Sequence, residues 1–190
     1  KGQEKVLLRA RISPIHAFAL VDNGQIYNEK TVIFGGELFE FSVYQSSIHE
    51  VWAVNYSSSM GKTGVSYSPS ACVDTFPMPS SNQELIEIGR EYHKSRSEIM
   101  FSRKIGLTKV YNLFNDSKED SSDVRLLRDL HVSMDKAVAA AYGWRNLDLG
   151  HGFHKTKQGV RFTVSEEARR EVLQRLLKLN HERYGEEVAQ

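Results

Sequence analysis

The hydrophobic period of this chain changes once, near residue 38, and any fold it adopts must accommodate that change. Before it, residues 6–13 read Val-Leu-Leu-Arg-Ala-Arg-Ile-Ser, with Arg9 and Arg11 on one side of a period-two pattern and Leu8, Ala10 and Ile12 on the other. That spacing predicts a half-buried strand with two arginines on its polar face. Residues 17–21 form a second short apolar run, ended by the turn signal Asp22-Asn23-Gly24, and residues 30–34 a third, ended by Gly35-Gly36. Three such strands make too little sheet to stand alone.

From residue 38 the pattern becomes helical. Phe41, Tyr44, Ile48, Val51 and Asn55 share a face that Val43 and Trp52 widen, which predicts one core helix over 38–56. A polar small-residue loop follows at 57–64, with Gly61 and Gly64 offering positive φ, then a strand at 65–70 and the exit Phe76-Pro77-Met78-Pro79. The prolines and Ser80-Ser81-Asn82 mark the best domain boundary, after residue 79. Beyond it, helical spacing predicts a helix over 82–103 stopped by Gly106 and a second one from Ser122 or Asp123 to Gly143. A last helix is capped by Ser165 and opened by Glu166 and Glu167. Residues 115–122 read as a solvated loop. The expected fold class is therefore α+β: a small β-rich half-domain with one core helix over 1–79, then an α-helical bundle over 80–190.

Bulk properties narrow the function. The 190 residues carry 25 basic and 24 acidic side chains, a net charge of +1 that disfavours a strongly basic, sequence-blind nucleic-acid binder but leaves room for a local reading patch. Cys72 is the only cysteine, so no internal disulfide can form, and it reads as a small buried hydrophobe. No apolar run has the roughly 20 residues of a membrane helix, so no membrane partner is expected. The chain opens at Lys1, already in strand-like sequence, and reads as a piece of a longer protein.

Catalytic patterns fail on inspection. Gly61-Lys62-Thr63 superficially matches the end of a phosphate-binding loop, but Tyr56 stands where the first glycine is needed, and a helix precedes it instead of a strand. His151 and His154 have no third ligand nearby, so a structural role is preferred to a metal site. His131 and Asp135 share a helix face at a spacing of four and read as a helix-surface pair. These four residues remain the best material for a small stand-alone enzyme. For nucleic acid, the useful groups are Arg9 and Arg11 on their strand, Lys62 in the loop and Tyr67 after it.

Residues 45–79 carry a more specific signal. Gln-Ser-Ser-Ile-His-Glu-Val-Trp-Ala, a serine–glycine loop, and Ser-Tyr-Ser-Pro-Ser-Ala-Cys-Val-Asp-Thr-Phe-Pro-Met-Pro resemble the target-recognition region of large fused restriction–modification enzymes. These MmeI-like proteins and their methylase relatives join nuclease, adenine methyltransferase and specificity modules in one chain. Their pattern, L-x-S-S-x-x-H-x-x-W, a variable loop, R-Y-[ST]-x-[ST] and F-P-x-P, has its counterparts at Ser46, Ser47, His49, Trp52, Tyr67, Ser68, Pro69, Ser70, Phe76, Pro77 and Pro79, although Tyr44 stands at the leucine and one residue, not two, separates Ser47 from His49. It departs at Ser66, where arginine is common. The similarity continues through Ile-Gly-Arg-Glu-Tyr-His-Lys-Ser-Arg from Ile88, Leu-Arg-Asp-Leu-His from Leu127 and His-Gly-Phe-His from His151.

The resemblance implies a sequence-specific reader of double-stranded DNA, without catalysis of its own, in a bacterial, cytoplasmic restriction–modification or phage-defence DNA adenine methyltransferase. It places Lys62 and Gly64 at base-reading positions and Ser58, Ser59 and Thr63 at phosphate or water-bridged contacts, with Trp52 and His49 bracing the helix. S-adenosylmethionine and Mg would belong to upstream methyltransferase and nuclease modules, leaving this segment without a cofactor. The alternative reading is a helical protein-interaction module of the same enzyme that does not bind DNA independently.

Overall fold

The computed structural model describes residues 4–59 and 64–188. Its α+β architecture begins with an antiparallel sheet in the order β3-β1-β4, formed by β1 (Lys5–Ala10), β3 (Ala19–Asp22) and β4 (Thr31–Gly35). Leu7 stands opposite both Leu20 and Phe34, which fixes the register around a fully buried side chain. The chain leaves β1 at Arg11 and enters a second small sheet, ordered β2-β6-β5, through β2 (Ile12–Ser13).

The frame of β1 is the reverse of the sequence expectation. Leu7 and Arg9 face the core, Ala10 is exposed, and Ile12 is 45% exposed. Arg9 is accommodated because the interior offers aromatic faces: its guanidinium lies 4.2 Å from the Tyr67 ring centre and 5.1 Å from that of Phe18. Arg9 Nη1 also donates to His16 Nδ1 at 3.2 Å, while His16 Nε2 donates to the Tyr44 carbonyl at 2.7 Å.

The expected single helix over 38–56 is two, α1 (Leu38–Gln45) and α2 (Ser47–Tyr56). Ser46 separates them in an extended conformation, its hydroxyl donating to the Val43 carbonyl and accepting from the His49 amide. A serine that satisfies backbone groups locally competes with helix continuation and caps the next one. The expected strand over 65–70 is likewise shorter. β6 (Val65–Ser66) ends early, and Pro69 starts the single turn α3 (Pro69–Cys72), where its missing N–H costs nothing.

The helices after residue 82 begin with α4 (Gln83–Ser102), capped by Asn82 as its side chain accepts from the Leu85 amide. α5 (Leu107–Phe114) leads to α6 (Ser122–Ala141), which packs along α4, and α4 packs in turn on α1. The loop between α5 and α6 is ordered by Arg128, which donates to the carbonyls of Leu113, Phe114, Asp116 and Glu119. A hairpin that the periodicity did not announce, β7 (Gly152–Thr156) and β8 (Gly159–Thr163), precedes α7 (Glu166–Val188). α7 returns across the molecule to pack on α2.

One hydrophobic core runs continuously from Leu7 through Trp52 and Phe76 to Leu127 and Leu176, so apolar packing crosses residue 79. The Phe76-Pro77-Met78 segment is tied down by the helices beyond it: Tyr142 Oη donates to the Pro77 carbonyl at 2.8 Å and Arg183 to that of Met78 at 2.8 Å.

Candidate nucleic-acid interface

β5 (Ser58–Ser59) continues directly from α2 and pairs with β6, Ser58 opposite Ser66 and Ser59 opposite Val65. β6 pairs on its other side with β2. The two strands therefore hold the ends of the loop at 60–63 on a pair of rungs anchored in a three-stranded sheet. Lys62 and Thr63 lie outside the described residues, and Ser58 is exposed at the loop's entrance.

Gly64 closes the exit. Its φ of +107° suits glycine, and a Cβ there would stand 2.1 Å from the Ser13 carbonyl oxygen. Expected as a reading position, Gly64 is instead buried against β2, where its lack of a side chain permits the close approach. Arg11 is exposed and sits where the chain passes between the two sheets, its amide donating to Lys30 O and its carbonyl accepting from the Tyr67 amide.

Arg9 and Tyr67 require correction as surface contacts, because they are 2% and 1% exposed. They form the floor under the small sheet. The Tyr67 hydroxyl and His49 Nε2 share a hydrogen bond of 2.9 Å, and the His49 ring packs edge-on against Phe76 at 4.7 Å. Burial, with Arg9 adding to it, holds the His49 imidazole well below its usual pKa, and burial, Arg9 and His49 do the same for His16. Burial also pushes the Tyr67 phenol up. Arg9 is thus the lone cation of a box whose other titratable rings are neutral at physiological pH. Trp52 lies beside this box, fully buried.

At the other end of α2, sequence reasoning missed a buried polar network. Asp135 of α6 is fully buried and accepts from the Ser47 amide at 2.7 Å and from His151 Nε2 at 2.8 Å. Ser47 Oγ and His131 Nε2 are 3.0 Å apart. The expected helix-surface pair His131–Asp135 is therefore interior, and its carboxylate accepts from the Ser47 amide at the start of α2. Burial alone would raise the Asp135 carboxyl, but the two histidine rings and Ser47 outweigh it and hold it below its ordinary range. His154 points elsewhere, Nε2 donating to the Gly150 carbonyl at 2.8 Å. Among the described residues no group of three or more His, Cys, Asp or Glu is arranged to hold a metal ion. Cys72 is buried beside Ala53 and Ser57.

Glu50, one turn into α2, is half-buried, and its carboxyl is pushed up to about 7 by burial, with Asp135 adding and Arg9, Arg161 and Arg169 opposing. A carboxyl that holds its proton more tightly in the fold than in the unfolded chain stabilises most at low pH, and that contribution is lost as the pH rises through 7. Glu50→Gln is expected to raise stability by about 1–3 kcal/mol at pH 8. It should leave stability nearly unchanged below pH 4.5, the ordinary value for this carboxyl. Urea titrations at the two pH values check this, and a pH-independent difference would contradict it.

Comparison with known proteins places this geometry in a class by fold: it is shared with a segment of a type IIL restriction–modification enzyme. That enzyme is MmeI, solved in complex with DNA, and the match has a TM-score of 0.57 at 19% identity over 95% of this chain. It takes in 21% of the MmeI chain, so the present chain spans about a fifth of that enzyme's length. No family model and no curated protein sequence matches. No helix among the described residues is long and apolar enough to cross a membrane.

Proposed function

We propose that this chain is the target-recognition portion, with its adjoining helical region, of a fused restriction–modification or phage-defence DNA N6-adenine methyltransferase. It reads double-stranded DNA through the loop at 60–63 and performs no catalysis by itself. The methyl donor S-adenosylmethionine and Mg serve methyltransferase and nuclease modules upstream in the same protein. The observation that carries this reading is the extent of the fold match, 95% of the chain, to an enzyme solved with DNA. The recognition-like motif run over 45–79 supports it, because its residues build the frame around the loop.

The chemistry of reading follows from that frame. α2 and the β2-β6-β5 sheet hold two fixed loop ends, a frame on which the residues between them can be committed to base edges. Lys62 brings donors only, which suits the N7 and O6 acceptors of guanine. Ser58, Ser59 and Thr63 contribute hydroxyls to phosphates, with Arg11 at the sheet junction as a further cation.

Fluorescence anisotropy of the purified chain with a labelled duplex of mixed sequence tests the reading. Binding in the micromolar range at 50 mM salt is expected, weakening steeply towards 200 mM as counterions are released. Enrichment from a randomised duplex library should recover a base preference that Lys62→Glu changes at one position, whereas a phosphate role for Lys62 predicts uniform weakening. A chain that binds no duplex under these conditions would favour the protein-interaction module.

A further inference from the structure

α2, the β7–β8 hairpin and the start of α7 enclose a groove of about 410 Å³. Five basic side chains line it against two acidic ones, a local excess in a chain whose net charge is +1. The acidic side is weaker than that count suggests. Glu166 is paired with Arg170, and Glu50 carries only part of its charge near neutral pH. Lys155, Lys157, Arg161 and Arg169 have no carboxylate within ion-pair distance among the described residues. Lys155 and Lys157 are exposed at the rim, whereas Arg161 and Arg169 are half-buried deeper in the groove.

Such an arrangement is held rigidly. The Phe162 amide donates to Asn115 Oδ1 at 3.0 Å, and Phe153 and Phe162 meet edge-on at 5.3 Å. Arg128, fixed by its four carbonyls, lies 5.0 Å from the Phe153 ring centre. Half-buried cations without an ion pair, such as Arg161 and Arg169, gain more from a bound anion than exposed ones, whose charge water already screens. Neutral donors suited to phosphate oxygens, Asn55 and Gln158, line the same groove.

The position identifies the occupant. Val54 and Asn55 form one wall of the groove, and α2 ends at Tyr56 to deliver the chain to Ser58 at the loop's entrance. The wall and the entrance are separated by about one helical turn, roughly 5 Å. The groove and the loop's entrance are thus close enough along α2 for one duplex to reach both. We infer that the groove is a second DNA contact, gripping the sugar–phosphate backbone of the duplex whose bases face residues 60–63. The inference rests on the proposed DNA-reading function and assigns to the hairpin a task separate from base recognition: it sets the register and orientation of the duplex and carries no sequence information.

Lys155→Ala/Lys157→Ala removes two exposed rim charges, so the fold should survive, with an unchanged melting temperature as the check. In duplex anisotropy from 50 to 200 mM salt, the slope of log affinity against log salt should become shallower by about 2, with roughly tenfold weaker binding. Base preference recovered from the randomised library should remain that of the wild type. Arg161→Gln, from the groove's interior, should act in the same direction. Wild-type binding with an unaltered salt slope in the double variant would overturn the inference and leave the DNA-reading function standing; so would a changed base preference. A wild-type chain that binds no duplex would overturn both.

Discussion

Asp135→Ala is expected to destabilise the chain by about 3–5 kcal/mol, the size associated with removing one member of a buried, hydrogen-bonded charge constellation. Asp135 has no solvent exposure, and its two oxygens are committed to different parts of the chain, Oδ1 to the Ser47 amide and Oδ2 to His151. Alanine would leave that amide, one of the unpartnered donors at the start of α2, without an acceptor in the interior. His151 would lose its acceptor, and His131, which stands 3.7 Å from Oδ2, its neighbouring charge. Asparagine should cost less, about 1–3 kcal/mol, because it keeps an acceptor for Ser47 and lets the His151 ring change tautomer to receive the new N–H. The sign of the pH dependence follows from the depressed carboxyl. Its contribution is complete above about pH 4 and disappears as the acid is protonated, so the deficit of the alanine variant should shrink in stronger acid. Urea unfolding at pH 7 and pH 3 measures both effects, and a loss below about 1 kcal/mol at pH 7 would show that the network contributes little.

Gly89→Ala should be the second large effect, at about 2–4 kcal/mol, although alanine is the better helix former by about 1 kcal/mol. Gly89 lies in α4 where it crosses α1, and a Cβ there would stand 2.2 Å from Ser42 Oγ and 2.7 Å from the Leu38 carbonyl oxygen. Ser42 cannot simply turn aside. Its hydroxyl is held between the Leu38 carbonyl at 2.9 Å and the Leu85 carbonyl at 2.6 Å, a polar clasp between the two helices. The added methyl must push α4 away from α1 and open the core between Phe41 and Tyr92. The double variant Ser42→Ala/Gly89→Ala should recover part of the loss, because the hydroxyl is gone while the backbone oxygen remains. Thermal melts of the single and double variants read the coupling, and strict additivity would show that close packing at Ser42 is not the cause.

What the sequence made legible was whatever is encoded by one face of one element. The long helices α4, α6 and α7 were visible because apolar side chains recur at helical spacing, with Asn82, Gly143 and Ser165 marking ends. The three strands of the first sheet were visible from short or alternating apolar runs ended by turn signals. Misreadings arose where the decisive partner is distant in sequence. Arg9 was assigned to the solvent because arginine is polar, yet its stem and guanidinium are enclosed by Phe18, His16 and Tyr67, brought together only by the fold. The interruption at Ser46 left no break in hydrophobic period, since one serine's hydrogen bonds create it. The β7–β8 hairpin turns on Lys157-Gln158, a pair without the usual glycine or asparagine signal, and its alternation is diluted by lysine and threonine. Of the expected site, the elements flanking the loop, α2 before it and β6 after it, were readable from local sequence, whereas β5 at Ser58–Ser59 falls within what was expected to be loop. The interior fate of Tyr67 and the packing role of Gly64 depended on β2, some fifty residues earlier.

The two rungs at Ser58–Ser66 and Ser59–Val65, closed by Gly64 against Ser13, give the loop a mouth of constant width. Closing a chain segment on fixed ends becomes only slowly more costly as it lengthens, about 0.6 kcal/mol for each doubling. Insertions and replacements between residues 59 and 64 should therefore be nearly invisible to the stability of the rest of the chain. A change to the mouth itself, at Gly64 or Ser13, would be felt at once. On the proposed function, the residues that would read DNA can change while the frame that holds them stays as it is.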